Sequence, residues 1–127
     1  MKATPFLMFQ GQGQDALALY RDTFPDFELL LLTEHPEGPQ AGQIQSCHIR
    51  VSGLEIMLFD SAPVHAFTFT PSTSFMIACD DEAQLRMLAE KLGEGGAVMM
   101  PIDNYGFSRM FTWLADRFGV SWRGREA

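Results

Sequence analysis

Phe6-Leu7-Met8-Phe9-Gln10-Gly11-Gln12-Gly13-Gln14-Asp15-Ala16-Leu17-Ala18-Leu19-Tyr20-Arg21-Asp22-Thr23-Phe24-Pro25 reads as a strand, a glycine break and a helix. Residues 4–10 predict the strand, with Pro5 tolerable at its start. Gly11 and Gly13 break it. Over residues 14–24, Ala16, Leu19, Tyr20 and Thr23 recur on one face with Leu17 and Phe24 beside them, which is helical spacing. Pro25 has no N–H to donate and stops the helix. Sixty-eight residues on, the pattern returns: Leu7-Met8-Phe9 falls on Phe75-Met76-Ile77, and Leu19-Tyr20 on Met87-Leu88. The letters differ, so the repeat is one of pattern.

Between the copies, the apolar run 27–33 predicts a strand, and 34–43, with two Pro and two Gly, a mobile loop. Residues 44–51 alternate, Ser52-Gly53 turns, and 54–60 return, which is a hairpin. Residues 61–71 form a bridge. Strand 73–79 follows, then a helix capped by Asp81 with Gln84 at the reciprocal position and Leu85, Leu88, Ala89 and Leu92 on one face. Gly93, Gly95 and Gly96 end it. Residues 97–102, 107–114 and 119–123 are three further strands. The predicted class is α+β, two βαβββ modules (about 1–63 and 70–127) in a single domain, 1–127.

Composition narrows the function. Nine Lys and Arg stand against sixteen Asp and Glu, a net charge of −7, which disfavours nucleic acid. No apolar run is long enough to span a membrane, and no secretory signal is legible, so a cytoplasmic location and no membrane partner are expected. Cys47 and Cys79 show no metal spacing and read as free and buried. His35, His48 and His65 lack partners at ligand spacing. Gly11-x-Gly13-x-x-Ala16 matches the dinucleotide fingerprint in letters only, because hairpin-like strands follow rather than helical crossovers. An anion could still bind the free N–H groups of that helix start. Cys47 and His48 are adjacent in a strand, point to opposite faces and cannot pair as nucleophile and base.

The order of elements resembles the vicinal oxygen chelate superfamily (glyoxalase I, extradiol dioxygenases, bleomycin- and fosfomycin-resistance proteins), and the letters its PhnB-like branch. The resemblance rests on Pro5–Phe9, Ala18–Pro25, Leu58–Ala62, Ser74–Asp81, Lys91–Gly96 and Asp116–Trp122. It implies a curled mixed sheet around an open cup and a homodimer, for which the 27–33 strand, Phe67 and Phe69 would suit an interface. That branch often carries a demethylubiquinone methyltransferase label. A nucleoside-cofactor methyltransferase is normally a larger doubly wound domain, which this strand order does not fit. The metal-ligand positions of the superfamily fall at Pro5, Ser74 and Arg123, with the fourth near Phe59 or Asp60. Pro has no side-chain donor and Arg repels a cation, so no metal and no other cofactor is expected.

Strand residues expected to face the cup are His48, Met57, Phe59, Phe75, Phe111, Trp113 and Trp122. Asp103, Asn104 and Tyr105 form a turn whose equivalent in relatives approaches the pocket, and Arg109 could pair with an acidic ligand or with Asp103. A Met- and aromatic-lined concavity is the default small-molecule site. The expected function is therefore metal-free binding of a small amphipathic or aromatic molecule. The alternatives are a metal-dependent lyase, isomerase or dioxygenase, and a dimeric structural module whose cup is filled by its own side chains. No catalytic constellation is identifiable.

Overall fold

The computed structural model describes residues 1–126, and the chain divides into two units at Phe67/Thr68. The first unit runs β1 (Phe6–Phe9), α1 (Gly13–Thr23), β2 (Glu28–Glu34), β3 (Ile44–Val51), β4 (Leu54–Asp60). The second repeats it as β5 (Ser74–Cys79), α2 (Glu82–Gly93), β6 (Ala97–Asp103), β7 (Phe111–Ala115), β8 (Ser121–Glu126). Element starts in the two units are 67–69 residues apart, so the periodic offset read from the sequence is a true repeat of βαβββ. The fold is α+β. Strand β7 starts later than its apolar run suggests, because Phe107–Met110 belong to the turn, and β8 runs from Ser121 to Glu126.

In the first unit the sheet order is β1-β4-β3-β2, with β1 parallel to β4 and the other pairs antiparallel. Ser52 (φ 49°) and Gly53 (φ 84°) both take left-handed backbone, the turn that matches strand twist in a two-residue hairpin. Strand parity sets the layers. Leu7, Phe9, Cys47, Ile49, Val51, Ile56 and Leu58 are buried on one face, as are Ala16, Leu17, Leu19 and Tyr20 of α1. Each such side chain contributes about 1.5–3 kcal/mol. The edge strand β2 differs: Leu29, Leu30 and Leu31 are 43%, 41% and 44% exposed.

In the second unit the order is β5-β8-β7-β6, with β5 parallel to β8. Asp81 caps α2, accepting from the Gln84 N–H at 2.8 Å, while the Gln84 side chain accepts from the Asp80 N–H at 2.8 Å. Leu85, Leu88 and Leu92 are buried, and α2 lies so close to β8 that a Cβ on Gly124 would stand 2.8 Å from Leu85 Cδ1.

Two buried carboxylates pin the loops. Asp60, at the end of β4, accepts from the N–H groups of Gly11 and Gly13 through Oδ1 and of Ile44 through Oδ2, all at 2.9 Å. Asp116 accepts from Phe118 N–H (2.9 Å) and Val120 N–H (3.1 Å) through Oδ1, and from Trp122 Nε1–H (2.9 Å) through Oδ2. The helix start that could have taken an external anion is thus served by Asp60. The 34–43 connection, expected to be mobile, is braced: His35 N–H donates to Gln43 O at 2.9 Å, Gly42 N–H to His35 O at 3.0 Å, and His35 Nε2 meets Asp60 O at 3.0 Å.

Cys47 and Cys79 are free and buried, and burial pushes both thiols up from 9.0 to about 11. Unfolded thiols ionise first, so this contribution to stability is complete below about pH 9 and is lost as pH rises towards about 11. A thiol-reactive dye near pH 8 is expected to label neither cysteine in the folded chain and both in denaturant. Fast labelling of the folded chain would contradict this burial.

Candidate functional site

Each sheet has one face against its helix and one face that its own unit leaves without a helix. On the first, the register aligns His48 with Met57 and Leu31, Phe6 with Met57, and Met8 with Phe59. His48, Met57 and Phe59, expected to share a face, do share it. All three are half-buried, as is Met8. Phe59 has two aromatic neighbours, Phe6 at 6.3 Å and the edge-on His35 ring at 6.0 Å. Phe6 and Met8, which the sequence reading missed, follow from the same parity.

One end of this face is charged. Arg50 pairs with Glu28 at 3.0 Å and Glu55 at 3.2 Å, and Glu55 with Lys2 at 2.7 Å. Hydrogen bonds from Lys2 and then Arg50 hold the Glu55 carboxyl below its ordinary value. The charges cancel among themselves, and solvent screens such exposed pairs, so they contribute little to stability.

The second helix-free face carries one row straight across the sheet, Met76–Arg123–Trp113–Met100. The Arg123 guanidinium lies over the Trp113 ring at 4.2 Å. Arg123 Nε–H donates to Ser74 Oγ at 3.3 Å, the Ser74 and Ser121 hydroxyls meet at 2.6 Å, and Trp113 Nε1–H donates to Ser121 Oγ at 2.9 Å. Because Ser121 accepts from Trp113, its own hydroxyl is free to donate to Ser74. At the end of this face Phe111 meets Phe107 and Tyr105 edge-on, at 4.9 and 6.1 Å.

Several expected positions are corrected. Phe75 and Trp122 face α2, not the open side; their rings meet tilted, with centroids 5.1 Å apart, and Trp122 is 1% exposed. They are core. Arg109 pairs with Glu126 and not with Asp103. Asp103 accepts from the Asn104 N–H at 2.7 Å, and Tyr105 donates to Pro101 O at 2.5 Å, so both close their own turn. His65 is exposed and stacks on Phe67 at 4.8 Å.

The residues that the sequence resemblance sets at metal-ligand positions do not fit a divalent cation. Pro5 offers a backbone carbonyl, already taken by Met57 N–H at 2.9 Å. Both oxygens of Asp60 are spent on backbone amides. Ser74 is bonded to a cationic neighbour, Arg123. Among the described residues no three His, Cys, Asp or Glu cluster at ligand distance. None of the described helices is long and apolar enough to cross a membrane. A shallow groove of about 540 Å³ between α2 and β6, lined by Arg86, Glu90, Val98 and Pro101, lies on the other face and shares no residue with the open row.

Comparison with known proteins agrees with this fold. The family described as 3-demethylubiquinone-9 3-methyltransferase matches residues 1–123. A solved PhnB protein of Bacillus cereus that carries the same description is 36% identical, covers 100% of both chains and superimposes with a TM-score of 0.94. Protein YjdN of Escherichia coli is 25% identical, over 96% of this chain and 92% of its own. A glyoxylase/bleomycin resistance protein/dioxygenase domain from Frankia, at 15% identity and TM-score 0.71 over 100% and 97% of the two chains, shows likeness of fold.

Proposed function

Because this chain belongs to the family described as 3-demethylubiquinone-9 3-methyltransferase, with the two-module fold of glyoxalase and bleomycin-resistance proteins, we propose that it binds a small amphipathic or aromatic molecule without a metal, on the helix-free faces of its sheets. The observation that carries the reading is the half-buried set His48, Met57 and Phe59, brought to one face with Phe6 and Met8. Apolar and aromatic side chains with a few polar groups among them are the usual lining of a small-molecule site. Methyl transfer is not supported by the geometry. A nucleoside cofactor would need a glycine loop offering its N–H groups, and those of Gly11 and Gly13 are given to Asp60. A homodimer in the cytoplasm completes the proposal, with exposed Leu29, Leu30 and Leu31 supplying apolar surface for a second copy.

The test is a thermal-shift screen with small amphipathic aromatics, run beside elemental analysis. A ligand present at a hundredfold its Kd should add about 2.7 kcal/mol of stability. For a ligand held on the first unit's face the gain should vanish in Met57→Lys, which places a charge there. Stoichiometric, tightly held divalent metal in the purified protein would overturn the reading.

A further inference from the structure

The two open faces treat their arginines differently. Arg50, on the first, is neutralised by Glu28 and Glu55. Arg123, on the second, pairs with no carboxylate among the described residues; its neighbours are the Trp113 ring and the Ser74 hydroxyl. A guanidinium carries five N–H donors, and Ser74 engages only the one on Nε. The side chain is nevertheless held, by the stack on Trp113 and by the Ser74–Ser121–Trp113 chain of hydrogen bonds. Arg125 stands one step along the same face, opposite Phe111, and is exposed. The carboxylate on that face, Asp103, is also at the Phe111 end. Met76 flanks Arg123 on one side, and Trp113 and Met100 lie on the other.

A fixed, uncompensated guanidinium inside an apolar row suits one ligand chemistry: an anionic head on a flat apolar body. We infer that Arg123 receives the carboxylate, or a comparable anion, of a small aromatic molecule whose body lies along Met76, Trp113 and Met100. Guanidinium binds a planar carboxylate with two parallel hydrogen bonds, roughly twice as strong as neutral ones. The net charge of −7 does not prevent this, since at physiological salt fields are screened over about 8 Å and the local arginines decide.

The inference rests on the small-molecule reading above, and one experiment separates the two. The protein has two Trp, so its two indole N–H signals in a nitrogen–proton spectrum report Trp113 on the open face and Trp122 in the core. The chain is titrated with phenylacetate and with its neutral isostere phenylacetamide. Phenylacetate should move the Trp113 signal, leave Trp122 in place, and bind about tenfold more tightly than the amide. Arg123→Gln should abolish that preference without weakening the amide, and Arg123→Lys should keep part of it. Raised salt should weaken phenylacetate alone. Equal affinity for the two probes, or a preference that survives in Arg123→Gln, overturns the inference and leaves small-molecule binding standing. If neither probe moves Trp113, both the inference and binding at this face are overturned.

Discussion

Asp60→Ala is expected to lower the unfolding free energy by about 2–6 kcal/mol, measured by urea denaturation at neutral pH. The carboxylate is 0% exposed and accepts three backbone N–H groups from two distant stretches of chain, Gly11 and Gly13 on one side and Ile44 on the other. Removing it leaves two buried donors, of Gly13 and Ile44, without partners, and turns the exposed Gly11 N–H to water. A buried unsatisfied donor costs about 1–3 kcal/mol. Asp60→Asn should cost less. Its carbonyl oxygen can still serve Gly11 and Gly13, and only Ile44 N–H is left facing an NH2 group. A result for Asp60→Ala within about 1 kcal/mol of the parent would mean that this carboxylate does not organise the loop.

Gly96→Ala is expected to destabilise at or above the top of the range of about 1–3 kcal/mol that overpacking costs. The added Cβ would lie 2.0 Å from the carbonyl oxygen of Ala115, and that obstacle is backbone, which cannot rotate away. Strand β6 starts at the next residue, with Ala97 paired to Ala115, so relief requires moving the strand pair itself. Gly93→Ala is the internal control. It lies three residues earlier, at the last position of α2, where a Cβ would meet only Leu114 and Val98 at 3.7 and 3.9 Å. Alanine is the better helix former, so Gly93→Ala should be neutral or stabilise by up to about 1 kcal/mol. Equal effects at the two positions would show that the close approach of Gly96 to Ala115 is relieved at little cost.

Most of the fold was legible because its signals are local. The helical spacing of Ala16, Leu19, Tyr20 and Thr23 needs no partner to be recognised, and all four are buried. Asp81 and Gln84 announced a cap, and Ser52-Gly53 a hairpin, by letters at fixed spacing. The site was less legible. His48, Met57 and Phe59 were grouped correctly by strand parity, but Phe75 and Trp122 were placed on the wrong side of their sheet. Gly124 was the overlooked signal: a glycine two residues beyond Trp122 marks the face where a helix comes close. Asp60, beyond three strand positions of apolar alternation, was likewise at an inward parity and was read only as one of two residues near a fourth metal-ligand position.

The sequence by itself determined the elements, their order and the repeat, since each rests on periodicity within ten or so residues. The tertiary structure alone decided which face of each sheet the helix covers, because alternation specifies two faces without labelling them and a shift of one residue exchanges them all. It alone decided partners as well. Asp60 reaches Gly11 and Gly13, Arg109 takes Glu126, and Arg123 lies between Trp113 and Ser74 with no carboxylate partner among the described residues. Such pairings join residues far apart along the chain or on different strands, and only the completed strand register brings their side chains within hydrogen-bond reach.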